Sequence, residues 1–244
     1  PHILSYSKWM IGSSSSSNSQ PANNFPVARP IYLIRQHAHA SLSDRLFSRP
    51  FLTLIEKNWI TFQLLKALQS LHDAGVCHGH LTTENILLTS WNWVLISDVG
   101  CQHFKPVALP DDDPGLWIHW FEGRGDEQVK RESWVGHHRG GDKKCCLAPE
   151  RFYTPGCDEG EIATELTPAN DIFSLGCVLI ELFLGGERAL DLGDLMEYRR
   201  QGKDSTTLPQ TLKQKLDKIE SSKMRAACKN MMSFYCVFRS TIFT

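Results

Sequence analysis

An α+β fold, mostly helical in its carboxy-terminal part, follows from three features of the chain. Leu54 to His72 carries Ile60, Leu64, Leu68 and Leu71 at three- and four-residue spacing, with Gly75 after it as a stop, which predicts an amphipathic helix. Asn170 to Leu184 is apolar nearly all round and runs into Gly185-Gly186, the mark of a helix buried on every side. At roughly fifteen residues it is too short to span a bilayer. Between these two, Ile86-Leu87-Leu88 and Val94-Leu95-Ile96 flank Thr89-Ser90-Trp91-Asn92-Trp93, which reads as two short strands joined by a turn. A chain of 244 residues, 41% hydrophobic, is long enough to bury a full core.

The remaining elements fall around this frame. Residues 1–10 read as one strand, and Ile31-Tyr32-Leu33-Ile34-Arg35 as another. Gly12 to Asn24 is a Ser/Asn-rich run with too little apolar surface to order itself, so a loop is expected there. Trp91 and Trp93 alternate around the tight turn and are expected to pack. The polar run from Glu122 to Lys144 reads as a surface excursion, and Leu208 to Ser222 as a helix of mixed charge.

Composition narrows the function classes. The net charge is -1, from 26 Lys and Arg against 27 acidic residues scattered along the chain, so nothing favours a nucleic-acid partner. Eight cysteines without a C-x-x-C pair read as reduced thiols, which implies a cytoplasmic setting. Cys101, His103, His137, His138, Cys145 and Cys146 include zinc-ligating types, but no pair stands at a C-x2-4-C or H-x3-5-H spacing. The chain begins at Pro1 rather than Met and is expected to be a fragment, in which an amino-terminal lipidation signal would not be visible.

The chemistry is concentrated in His78-Gly79-His80-Leu81-Thr82-Thr83-Glu84-Asn85, followed after thirteen residues by Asp98-Val99-Gly100. In protein kinases a loop H-R-D-L-x-x-x-N supplies a carboxylate for the substrate hydroxyl and an Asn for magnesium, and a D-F-G turn supplies the second metal ligand. His78, Leu81, Asn85, Asp98 and Gly100 match this pattern, while His80 stands at the carboxylate position. Further landmarks follow in order: Ala148-Pro149-Glu150, like the A-P-E that closes an activation segment, and Asp171-Ile172-Phe173-Ser174-Leu175-Gly176, like the start of the long buried helix of a kinase C-lobe.

The wording resembles one family more closely. His-Gly before the missing Asp, Thr-Glu-Asn, Thr89-Ser90-Trp91-Asn92-Trp93-Val94-Leu95, Phe104-Lys105-Pro106, Leu109-Pro110-Asp111-Asp112 and Ala148-Pro149-Glu150-Arg151-Phe152 resemble the kinase-like regulatory subunit of class III phosphatidylinositol 3-kinase, from about Ile31 to about Leu184. The resemblance implies a protein-kinase-like fold with a truncated N-lobe and hinge over residues 1–38. A C-lobe would follow over 39–244, with a long activation segment over about 98–150. It implies ATP and Mg2+ as cofactors, with Gln36 and His37 (beside Arg35) in the hinge against the adenine, and Asn85 and Asp98 holding the metal. It also implies the class III lipid kinase catalytic subunit as partner, a role in endosomal or vacuolar sorting and autophagy, and membrane contact only through the full-length protein. At the far end, Arg239 falls where the kinase pattern pairs an Arg with the A-P-E glutamate, here Glu150, although Tyr235-Cys236 replaces Asp-Pro.

The departures bear on mechanism. No G-x-G-x-x-G and no V-A-I-K strand is present, so the phosphate-covering loop and its Lys are missing from this sequence. His80 removes the carboxylate base, a group that contributes on the order of 10²–10⁴ in rate. Gly79 removes the Arg that grips a phosphorylated activation loop. The expected function is therefore a catalytically impaired kinase-like module that regulates a lipid kinase. The alternative is an active serine/threonine kinase in which neutral His80 takes the proton near pH 7. A non-kinase interaction domain would require the ordered motifs to coincide by chance.

Overall fold

The computed structural model describes residue 3 and residues 6–11, 31–99, 108–113, 146–158, 162, 165–200 and 208–233. The Gly12–Asn24 run, Gly100, the Glu122–Lys144 run, Arg239 and every candidate zinc ligand except Cys146 lie outside these residues.

Two antiparallel strands, β1 (Tyr6–Ile11) and β2 (Ile31–Arg35), pair with Trp9 opposite Leu33. After them, β3 (Ala40–Ser41) leads into α1 (Leu42–Phe47) and then α2 (Leu54–Asp73). Both helices start in capping boxes. Ser41 Oγ accepts from Asp44 N while Asp44 Oδ2 accepts from Ser41 N, and Thr53 with Glu56 repeats the exchange. The expected α2 periodicity holds, since Ile60, Leu64, Leu68 and Leu71 are all buried. It stops as the sequence predicts, with Gly75 at φ +72° and its N–H bonded to His72 O.

Strands β4 (Ile86–Leu88) and β5 (Val94–Ile96) form the expected hairpin and join β3 in a sheet of order β3-β4-β5. Asn92 takes the left-handed conformation that the turn needs, at φ +55°. Its side chain donates to Glu56 and its carbonyl accepts from Gln63 Nε2, so the turn is pinned onto α2. The expected packing of the turn indoles is corrected for Trp91, which is 88% exposed, whereas Trp93 packs in a T-shaped contact with Trp59, ring centroids 6.3 Å apart. The pinning uses Asn92, and Trp91 is left pointing at water.

The second half is helical. β6 (Leu109–Pro110) pairs in parallel with β7 (Phe152–Tyr153), just after a 3-10 turn at Pro149–Arg151. Then α3 (Pro168–Phe183) runs through the core, with every residue from Ala169 to Leu182 buried. It is followed by α4 (Leu192–Arg200), α5 (Gln210–Asp217) and α6 (Ser222–Met231). The helix expected over 208–222 is shorter, ending at Asp217, and Ser221 caps the next helix by accepting from Met224 N. α6 lies against α3 so closely that a Cβ on Gly176 would stand 3.0 Å from Met231 Cβ and Met232 Sδ. Among the described residues no helix is long and apolar enough to cross a membrane.

Candidate functional site

The loop from His78 to Asn85 lies between the end of α2 and the start of β4, and α3 supports it from below. Asp171, in the first turn of α3, is 1% exposed, and its carboxylate accepts from His78 N at 2.7 Å and Gly79 N at 2.8 Å. Asp171 is the first residue of the motif that marks the start of this helix in the sequence. His72 Nε2 adds a third bond to the same carboxylate at 3.0 Å. Gly79 itself sits at φ +75°, a conformation that any other residue would hold under strain.

His78 is fully buried and fixes the far side of the loop. Its Nε2 donates to Ser97 O at 2.9 Å and its Nδ1 accepts from His80 N at 3.2 Å, so the partners assign the neutral Nε2–H tautomer. Burial pushes this imidazole below the ordinary histidine range, against the opposing pull of Asp171. Two further supports were not read from sequence. Arg151, 3% exposed, donates from Nη1 to Gly79 O at 2.8 Å, and Thr83 donates to the buried Glu181 at 3.0 Å. The first directly follows the A-P-E landmark and the second lies deep in an apolar helix, and no local pattern links either to the loop.

The structure links Asn85 to His80 on one side and to Ser97, the residue before Asp98, on the other. Asn85 Nδ2 donates to His80 O at 2.8 Å, fixing the residue at the carboxylate position. Ser97 N donates to Asn85 O at 2.9 Å, and the single Ser97 hydroxyl proton is shared between Asn85 O at 3.1 Å and Asp98 Oδ2 at 3.0 Å, so the hairpin returns the chain to the level of Asn85 immediately before Asp98. Asp98 takes φ +61°. Its Oδ2 accepts from Ser97 Oγ at 3.0 Å, and its Oδ1 accepts from Arg35 Nη1, also at 3.0 Å. Gln36 and His37 follow Arg35 directly and are exposed.

By type, an amide oxygen and a carboxylate at the two ends of the hairpin are donors that suit a divalent cation. Thr82 Oγ1, buried in the same loop, has no hydrogen-bond partner among the described residues. The fit to a metal is qualified by Arg35, whose guanidinium already neutralises the Asp98 carboxylate. Glu150 accepts from Asn170 Nδ2 at 2.9 Å; its expected partner Arg239 lies outside the described residues.

A second group of ligating types lies beneath the loop, where His72, Cys77 and Asp171 place their ligand atoms within 4.8 Å of one another. It is a structural cluster. The Asp171 oxygens are taken by two backbone N–H groups and His72, and burial, aided by Asp171, pushes the Cys77 thiol up to about 11.

No family model matches the chain. It is similar to serine/threonine-protein kinase VPS15 of Arabidopsis thaliana, 40% identical over 203 residues, which is 82% of this chain and 12% of that protein. It is likewise similar to the protein of the same name from Saccharomyces cerevisiae, 38% identical over 205 residues (84% of this chain, 12% of that one). With probable serine/threonine-protein kinase vps15 of Dictyostelium discoideum the identity is 43% over 187 residues, 76% of this chain and 8% of that protein. The chain therefore spans about a tenth of the length of the curated relatives it matches.

Proposed function

Because the chain belongs to the VPS15 family of serine/threonine-protein kinases, we propose that it is the kinase-like module of a regulatory subunit of class III phosphatidylinositol 3-kinase, and that it holds nucleotide but transfers phosphate poorly. One observation carries this reading: the loop is fully framed by Asp171, His78 and Arg151, yet presents His80 where a kinase presents a carboxylate. A frame kept without the group that takes the hydroxyl proton suits positioning better than turnover. ATP with Mg2+ supplies the transferable phosphoryl group and its charge neutralisation when bound. On this chain, Gln36 and His37 offer backbone to the adenine, and Asn85 and Asp98 are the residues that would hold the metal. The partner is the lipid kinase catalytic subunit. Work in endosomal or vacuolar sorting and autophagy, on the cytoplasmic side of those membranes, belongs to the full-length protein.

The test uses the full-length parent, with nucleotide binding measured by thermal shift and phosphate transfer measured for the wild type and His80→Asp. Nucleotide should bind in both, and restoring the carboxylate should raise transfer by about tenfold or more. Robust wild-type transfer that His80→Asp leaves unchanged would favour the second reading, an active serine/threonine kinase with His80 as base. Co-purification with the lipid kinase catalytic subunit tests the partner assignment separately.

A further inference from the structure

The Arg35–Asp98 pair joins the end of β2 to the residue after the hairpin, 63 positions apart in sequence, at the place where a kinase keeps a metal ion. Both carboxylate oxygens are engaged, Oδ1 by the Arg35 guanidinium and Oδ2 by the Ser97 hydroxyl. The neighbouring amide is oriented but not occupied, since Asn85 Nδ2 is tied to His80 O while its side-chain oxygen is the atom a metal would use, so the contest is for Asp98 alone. We propose that Arg35 is a built-in cation that competes with divalent metal for Asp98, so that nucleotide in this cleft is held largely without a metal on that residue.

This inference rests on the reading of the cleft as a nucleotide site, but the pair itself does not depend on it. A guanidinium stays charged at every accessible pH, so no change of protonation vacates Asp98. A divalent ion on the same oxygen would stand within contact distance of that positive group, and their repulsion opposes its entry. The pair is soft rather than locked. The side chains are 33% and 44% exposed, so water and salt screen it and Arg35 can be displaced at a cost in metal affinity. Both partners were legible separately, Arg35 as a hinge residue and Asp98 as a metal ligand; their contact was not, because nothing local relates two residues so far apart.

Two measurements on the full-length protein decide the matter. Mn2+ alone is titrated against the wild type, Arg35→Met, Asp98→Asn and Arg35→Met/Asp98→Asn, and bound ion is read by water-proton relaxation. Arg35→Met should bind Mn2+ about tenfold more tightly than the wild type, equivalent to about 1.4 kcal/mol, and the double variant should lose that gain. Arg35→Gln serves as the second variant if the methionine form misfolds. In the other arm, ATP affinity with Mg2+ or with EDTA should differ by less than about threefold in the wild type and by about tenfold in Arg35→Met. Equal Mn2+ affinities in the wild type and the single variant would overturn the proposal. So would tight wild-type Mn2+ binding that Asp98→Asn abolishes. Failure of ATP to bind any form would count against the nucleotide reading alone, because the Mn2+ arm still judges Arg35.

Discussion

The two sides of the 78–85 loop are built from opposite materials. Underneath, Asp171, His78, Thr83, Arg151 and Glu181 are each no more than 3% exposed and are bonded to one another or to loop backbone. Along the upper edge, Asp98 is exposed and Arg35 and His80 are partly so. In the lower region, removing one partner strands buried polar groups, at a full desolvation cost. At the edge, water replaces whatever is lost. The frame therefore tolerates little change in residue type, whereas the edge can exchange a carboxylate for His80 and accept an arginine on Asp98 without disturbing the fold.

Mutations can sharpen that contrast. Asp171→Ala should be the most damaging, because it removes the acceptor of two loop N–H groups and of His72; a loss of about 3–5 kcal/mol is expected. Hydrogen exchange over residues 78–85 of the parent protein would show the loop opening, and protection equal to wild type would refute the hub role. Thr83→Val leaves the buried Glu181 carboxylate short of one donor and should cost about 1–3 kcal/mol by chemical unfolding.

The third test is the pH dependence of the frame. Folded His78 binds its proton less readily than an unfolded histidine, so the unfolded state takes up the proton first as pH falls. Its contribution is complete above the ordinary histidine range and is lost as pH drops through that range toward the lowered value. Protonating Nδ1 would also set two donors against each other at His80 N. Unfolding midpoints compared at about pH 7.5 and about pH 5.5 should fall more steeply for the wild type than for His78→Gln, and equal slopes would remove His78 as the cause. The smallest effect belongs to the edge, where His80→Asp should leave stability within about 0.5 kcal/mol even while it changes phosphate transfer.

Much of this arrangement was legible before any coordinates. The α2 periodicity, the apolar α3 and the hairpin gave the frame, and the ordered motifs placed His80, Asn85 and Asp98 on it. The turn was read by its indoles, and that failed for Trp91 because a half-buried side-chain amide, Asn92, does the anchoring. The start of α6 was missed because Ser221 looks like any serine until its hydroxyl is seen accepting Met224 N. Arg151 and Arg35 escaped for a different reason. Long side chains that bond loop backbone or a distant carboxylate leave no spacing to read, since their partners lie 72 and 63 positions away.

The indoles left outside the turn have an optical consequence. Trp91, 88% exposed, sits beside a ribbon of Trp59, Phe62 and Trp93, with Trp59 stacked at 5.8 Å on Phe62 and edge-on at 6.3 Å to Trp93. An indole so open to water emits at long wavelength and is reached freely by a small neutral quencher such as acrylamide. Its ring-stacked neighbour Trp59 is better shielded. Trp91→Phe should therefore remove a red, easily quenched part of the emission, giving the hairpin turn a native fluorophore.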